Sequence, residues 1–106
     1  VQKDILVESE RVVFIDITAD WCLTCKANKL LVLDSSYVKM ALSKENVVKM
    51  RGDWTQQNSK ILSYLNENGR FGIPFNIVYG PSAKSGIILP EILTSELVIN
   101  ALKNAK

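Results

Sequence analysis

The chain has 106 residues, 47 % of them hydrophobic, with 13 Lys and Arg set against 11 Asp and Glu and no histidine. That size and apolar content suit a single domain spanning residues 1–106, and charges scattered without a basic block exclude a run of phosphates as natural partner, so no nucleic acid is expected. The lack of histidine removes Ser-His-Asp and Cys-His nucleophile arrangements together with imidazole metal ligands, which leaves two thiols, Cys22 and Cys25, as the obvious reactive groups.

A tetrahedral zinc site needs four ligands, so two cysteines could complete one only with carboxylates or a second chain; no metal and no separate cofactor are expected. The longest apolar runs, such as Val12 to Ile15, stop after four residues, far short of the roughly 18 to 20 needed to cross a bilayer. No direct membrane insertion is expected of these residues. A chain that opens at Val1 without Met or an apolar leader reads as a mature fragment or a domain excised from something larger.

In chain order, Gln2 to Glu10 is mixed and reads as a helix. Arg11 to Thr18 is a β-branched run of strand length, expected as a buried central strand. Cys22 to Leu33 follows, with Leu23, Ala27, Leu30 and Leu31 at the spacing of one face of a helix. The cysteines thereby fall at a strand-to-helix junction. Asp34, Ser35 and Ser36 end that helix and start a short one over Tyr37 to Leu42, with Val38, Ala41 and Leu42 inward. A second strand is expected near Asn46 to Arg51, then a turn marked by Gly52, Asp53 and Thr55. Ile61, Leu62 and Leu65 form the stripe of a helix closed by Asn68-Gly69.

Phe75 to Tyr79 reads as a strand, with Gly80-Pro81 and Ser85-Gly86 bracketing a turn and Ile87 to Leu89 returning as its antiparallel partner. Thr94 caps a last helix with Leu97, Val98, Ala101 and Leu102 on one face. The expected fold class is α/β: a mixed central sheet with helices on both faces.

Cys22-Leu-Thr-Cys25 places two thiols close enough to form a small disulfide ring, the first at a helix start, where unpaired N–H groups favour a thiolate. Cys22 is the expected nucleophile. Cys25, one turn further in and expected to be less exposed, is the resolving thiol. A static disulfide or a metal loop is the competing reading of the same four residues.

Asp16 interrupts an apolar strand, and a buried carboxylate costs several kcal/mol unless paired or neutralised. It is therefore either a carboxyl of raised pKa exchanging a proton with Cys25, directly or through water, or an Asp on a wet strand face or a backbone cap. Trp21 is either a partner contact or a lid on the helix end. Asp20 and Lys26 read as solvated charges, the first opposing thiolate formation and the second assisting it. Trp54 reads as core. Only about 5 to 6 % of X-Pro bonds are cis, so sequence alone assigns trans to Ile73–Pro74.

The segment Phe14-Ile-Asp-Ile-Thr-Ala-Asp-Trp-Cys-Leu-Thr-Cys-Lys26 resembles the active-site region of the thioredoxin superfamily, and more narrowly that of the C-terminal periplasmic domains of DsbD-type thiol:disulfide interchange proteins and their suppressor-of-copper-sensitivity relatives. Gly52-Asp-Trp-Thr55, Gly72-Ile-Pro-Phe75 with Val78-Tyr79, and Leu89-Pro-Glu-Ile-Leu-Thr94 continue the likeness over most of the chain. The resemblance implies a thioredoxin fold, Cys22 as attacking thiol, Cys25 as resolving thiol and Asp16 as the carboxyl beneath them. It also implies a cis Ile73–Pro74 bond and an Ile73 backbone that pairs with an incoming partner strand.

By the same resemblance the domain is a protein-disulfide reductase. It would be a monomer in the periplasm, belonging to an inner-membrane protein and connected with cytochrome c biogenesis. Electrons would pass from a membrane-embedded cysteine pair to disulfides of a neighbouring N-terminal domain or of other periplasmic proteins. One departure stands out: such domains often carry an acidic residue seven positions after the first cysteine, where this chain has Lys29. A lysine there would lower the Cys22 pKa. Two readings from other classes stay open, a soft-metal module holding Cu(I) through both thiolates and an interaction domain with a structural disulfide.

Overall fold

Val12, Phe14 and Asp16 point to one side of their strand and Val13, Ile15 and Ile17 to the other, and this two-residue alternation organises the whole domain. The computed structural model describes residues 10–70 and 72–106; the helix expected over Gln2 to Glu10 lies outside them except for Glu10, which is in a turn. Strand β1 (Val12–Thr18) leads into α1 (Leu23–Asn28), which continues as a π-helical turn over Lys29–Leu33, then α2 (Ser36–Leu42), β2 (Val47–Asp53), α3 (Ser59–Glu67), β3 (Phe75–Gly80), β4 (Ala83–Ile88) and α4 (Ser95–Ala105).

The sheet order is β2-β1-β3-β4, with β1 parallel to β2 and antiparallel to β3, and β3 antiparallel to β4. The expected mixed α/β sheet is therefore present. On one side Val12, Phe14 and Val78 pack with Val32, Val38, Leu42, Leu93 and α4; on the other Val13, Ile15, Ile17, Phe75 and Ile77 pack with Leu65 of α3. Asp16 shares the side of Phe14, which is the side of α1. No helix among the described residues is long and apolar enough to cross a membrane.

Helix ends follow local chemistry. Asn58 caps α3 by accepting from the Lys60 and Ile61 N–H groups, and Thr94 caps α4 by accepting from Leu97 N–H. Gly69, at φ 72°, closes α3 in the left-handed region that glycine enters without penalty. The turn before β4 is tighter than the sequence suggested: β4 begins at Ala83, and Ser85-Gly86 lies inside it. Gly86, at φ 94°, lets the strand run on against Ile77 and Tyr79, where a side chain would collide. In α4 the buried face is Val98, Ile99, Ala101, Leu102 and Ala105, so Ile99 takes the inward place expected of Leu97, which sits at the rim. Likewise in α3 Leu65 is fully buried while Leu62 faces outward.

The buried face of α1 is not its leucine stripe. Leu23 is 79 % and Leu31 71 % exposed, and Leu30 is equally outward, whereas Cys25, Asn28 and Val32 are buried. Both sets have helical spacing, so periodicity could not choose between them. The choice is made by the disulfide and by Asn28, whose amide donates to Glu91 O at 2.7 Å and whose carbonyl accepts from Leu93 N at 3.1 Å. These bonds satisfy a buried polar side chain and leave the leucines to solvent.

Candidate functional site

The site forms where β1 ends and α1 begins. Cys22 is the N-cap of α1 with extended backbone, and its sulfur accepts the Cys25 N–H at 3.1 Å. The two cysteines are joined in a disulfide, with Cα atoms 5.2 Å apart. Each is 6 % exposed, so the expected difference in accessibility is absent from this state. Hydrogen bonding separates them instead: a helix N–H is aimed at Cys22 Sγ, and that donor would steady a thiolate at the same atom.

Ile73 packs against Ala19, Cys22 and Cys25, and the Ile73–Pro74 bond is cis, against the sequence base rate and in keeping with the resemblance. Pro74 is buried immediately before β3.

Behind the disulfide lies a cavity of about 250 Å³ lined by Phe14, Asp16, Thr18, Cys25, Lys29 and Arg51, among others. Asp16 thus shares one space with the inner cysteine. Burial pushes its carboxyl up to about 6, against the opposing pull of Arg51 and Lys29. That places its proton exchange near neutrality, where a carboxyl can both take and give a proton. Lys29 also reaches Asp34, Nζ to Oδ2 at 2.7 Å, and this ion pair holds the exposed Asp34 carboxyl below its usual range.

The other residues singled out from sequence are more peripheral. Trp21 is 58 % exposed, with its indole N–H donating to Thr55 O at 3.1 Å. Its ring lies 6.3 Å from that of Trp54, which is half-buried against the α3-side core rather than fully inside it. Asp20 and Lys26 have exposed side chains outside the cavity; the Asp20 backbone N–H donates to Thr55 Oγ1 at 2.9 Å.

The site thus combines a strand-borne carboxyl, a helix-capping cysteine bonded to its neighbour three positions on, and Ile73 of the cis Ile73–Pro74 bond packed against both cysteines. Residues 2–81 match a family model described as thioredoxin-like. The chain belongs to the thioredoxin-like family. Among solved structures, this thioredoxin-like domain is similar to the C-terminal domain of Neisseria meningitidis DsbD in its oxidised form, at 22 % identity and TM-score 0.75 over 99 % of this chain and 90 % of that one. It is also similar to a DsbH oxidoreductase, at 18 % identity and TM-score 0.70 over 94 % and 78 %. A third is the first thioredoxin domain of mouse protein disulfide-isomerase A4, at 15 % identity and TM-score 0.64 over 98 % and 70 %. No curated protein matches the sequence.

Sequence reasoning passed over three residues that shape the site of this thioredoxin-like domain. Arg51 faces Asp16 across the β1–β2 pairing, and the signal was a cation on the strand parallel to β1. Asn28 was hidden by the leucines beside it, although a polar residue three positions after Cys25 shares its helix face. Thr55 was noted only as a turn residue, yet it contacts both residues that precede Cys22.

Proposed function

We propose that the domain is a thiol–disulfide oxidoreductase that cycles Cys22 and Cys25 between dithiol and disulfide and acts as a reductase of partner disulfides. The observation that carries this reading is the disulfide at the N-cap of α1, with the Cys25 N–H directed at Cys22 Sγ.

In the reduced state the Cys22 thiolate attacks one sulfur of a partner disulfide; a Cys22–partner bond forms, the partner's S–S bond breaks, and its second sulfur leaves as a thiolate that takes a proton. Cys25 then gives its proton to Asp16, directly or through water in the shared cavity, and attacks Cys22 Sγ. The Cys22–Cys25 bond forms as the partner's first sulfur departs. Two electrons have passed to the partner, and the domain is left in the disulfide state. No separate cofactor takes part.

The likeness to the Neisseria DsbD C-terminal domain supports the finer reading that the domain serves the periplasmic side of an inner-membrane protein. On that reading it is recharged by a membrane-embedded cysteine pair and delivers electrons to disulfides of a neighbouring domain or of other periplasmic proteins, with links to cytochrome c biogenesis. Trp21 and Ile73 would meet the incoming chain, whose backbone pairs beside the cis Ile73–Pro74 bond. The test is Cys25→Ala, which removes the resolving thiol. The variant should accumulate a mixed disulfide through Cys22 with a periplasmic protein; a variant that captures nothing contradicts the exchange reading.

A further inference from the structure

Five hydrogen bonds converge where the β2–α3 loop meets the two residues before Cys22. Asp53 Oδ1 accepts from Thr55 N–H at 2.9 Å and from Thr55 Oγ1 at 2.5 Å. The hydroxyl so oriented accepts in turn from the Asp20 N–H at 2.9 Å, while Thr55 O accepts from the Trp21 indole at 3.1 Å. The Trp54 N–H donates to Thr18 O at 2.7 Å, tying the loop to the end of β1.

The Thr55 hydroxyl bonds in both directions, its one proton going to Asp53 and a lone pair meeting the Asp20 N–H. The geometry fixes the direction of this relay, since a carboxylate only accepts and the Asp20 N–H only donates. The Thr55 bonds to Asp53 hold that carboxyl below its usual range, so the relay stays charged through neutral pH.

The bonds act on an exposed ring rather than on the core. Trp21 is more than half exposed and adjoins the nucleophile, and an unrestrained indole would lose rotamer freedom each time a partner bound. From this relay we infer that Asp53 and Thr55 are positioning residues, which hold the Trp21 ring in place beside Cys22 so that a polypeptide disulfide meets a pre-set contact surface. The inference rests on the exchange activity proposed above. It predicts that the relay matters for a protein disulfide, which must cover Trp21, and little for a small disulfide that touches only the sulfur.

The test measures single-turnover rate constants of the reduced domain with insulin and with an aromatic small-molecule disulfide, for wild type, Asp53→Ala, Thr55→Val and Thr55→Ser. Exchange of the Trp21 indole N–H is followed by NMR. Thr55→Val removes the hydroxyl at constant shape, and Thr55→Ser keeps it.

Asp53→Ala and Thr55→Val should lower the insulin-to-small-disulfide rate ratio roughly fivefold, the equilibrium weight of one hydrogen bond, and speed indole exchange. Thr55→Ser should stay near wild type on both readouts. Ratios within twofold of wild type in all three variants, or an equal loss with both substrates, would overturn the inference. Should Thr55→Val not fold, a Thr55→Ser protein with wild-type ratio beside a folded Asp53→Ala protein with the same ratio would overturn it equally. A wild-type domain that reduces neither substrate would instead refute the exchange activity on which it rests.

Discussion

Arg51 stands opposite Asp16 in the parallel pairing of β2 with β1, and its charge pulls down a carboxyl that burial has pushed up to about 6. The two influences oppose each other, and desolvation is the larger. A carboxyl with an unfolded value of 3.8 and a folded value near 6 binds more protons in the folded state between those values. Stability therefore falls as pH rises through that window, and the cost remains in full above it. In the disulfide state Asp16→Asn should stabilise the domain at pH 8 by up to roughly 3 kcal/mol and give no gain below about pH 4. Urea unfolding at the two pH values checks this, and a gain of equal size at both would remove the linkage. Arg51→Met should raise the Asp16 titration further, as read by carboxyl NMR.

Lys29 occupies a place where a carboxylate would raise thiol pKa values, and it lines the cavity behind Cys25. Replacing it with Ala should shift the Cys22 thiolate titration upward in the reduced domain. The shift should be below about one unit, because the ammonium is exposed to solvent and already paired with Asp34. Thiolate absorbance against pH measures it; an unchanged midpoint would show that Lys29 does not act on Cys22.

Asn28 links α1 to the Glu91–Leu93 segment by two hydrogen bonds made to opposite ends of one amide. Asn28→Ala leaves the Leu93 N–H and the Glu91 carbonyl without that partner and should cost about 1 to 3 kcal/mol in denaturant unfolding. A loss below about 0.5 kcal/mol would mean that the segment finds other partners at no cost.

The orientation of α1 gives a contrast between two leucines. Leu31→Ser, on the exposed face, should change stability by no more than about 0.5 kcal/mol, whereas Leu65→Ala, in the fully buried α3 position, should cost about 2 to 5 kcal/mol. Equal losses at the two positions would contradict the assigned faces.

Much of this was legible in residues 11–18 and 22–25. The β-branched run specified a central strand, and the helical spacing that follows it put Cys22 at a helix start, so the junction carrying the site could be read directly. The interrupting Asp16 also showed, because a carboxyl among valines and isoleucines demands an explanation. Which face of α1 is buried could not be read, since Leu23, Leu30 and Leu31 offer as regular a stripe as Cys25, Asn28 and Val32, and the deciding hydrogen bonds come from residues more than sixty positions away. The cis Ile73–Pro74 bond was likewise beyond local pattern, being decided by tertiary context that the family resemblance supplied. Thr55 reads as an ordinary turn residue until folding brings it against Asp20 and Trp21.

The central claim is that the Cys22–Cys25 bridge is made and broken in function, and its reduction potential tests that most directly. Equilibration of the domain in a graded series of thiol–disulfide buffers, with free thiols counted by alkylation and mass, yields the midpoint. A reductase should equilibrate reversibly in the range of catalytic dithiols, nearer the value of about −270 mV for thioredoxin than that of about −120 mV for DsbA. A bridge that stays closed until below about −300 mV would belong with structural disulfides and would contradict the account.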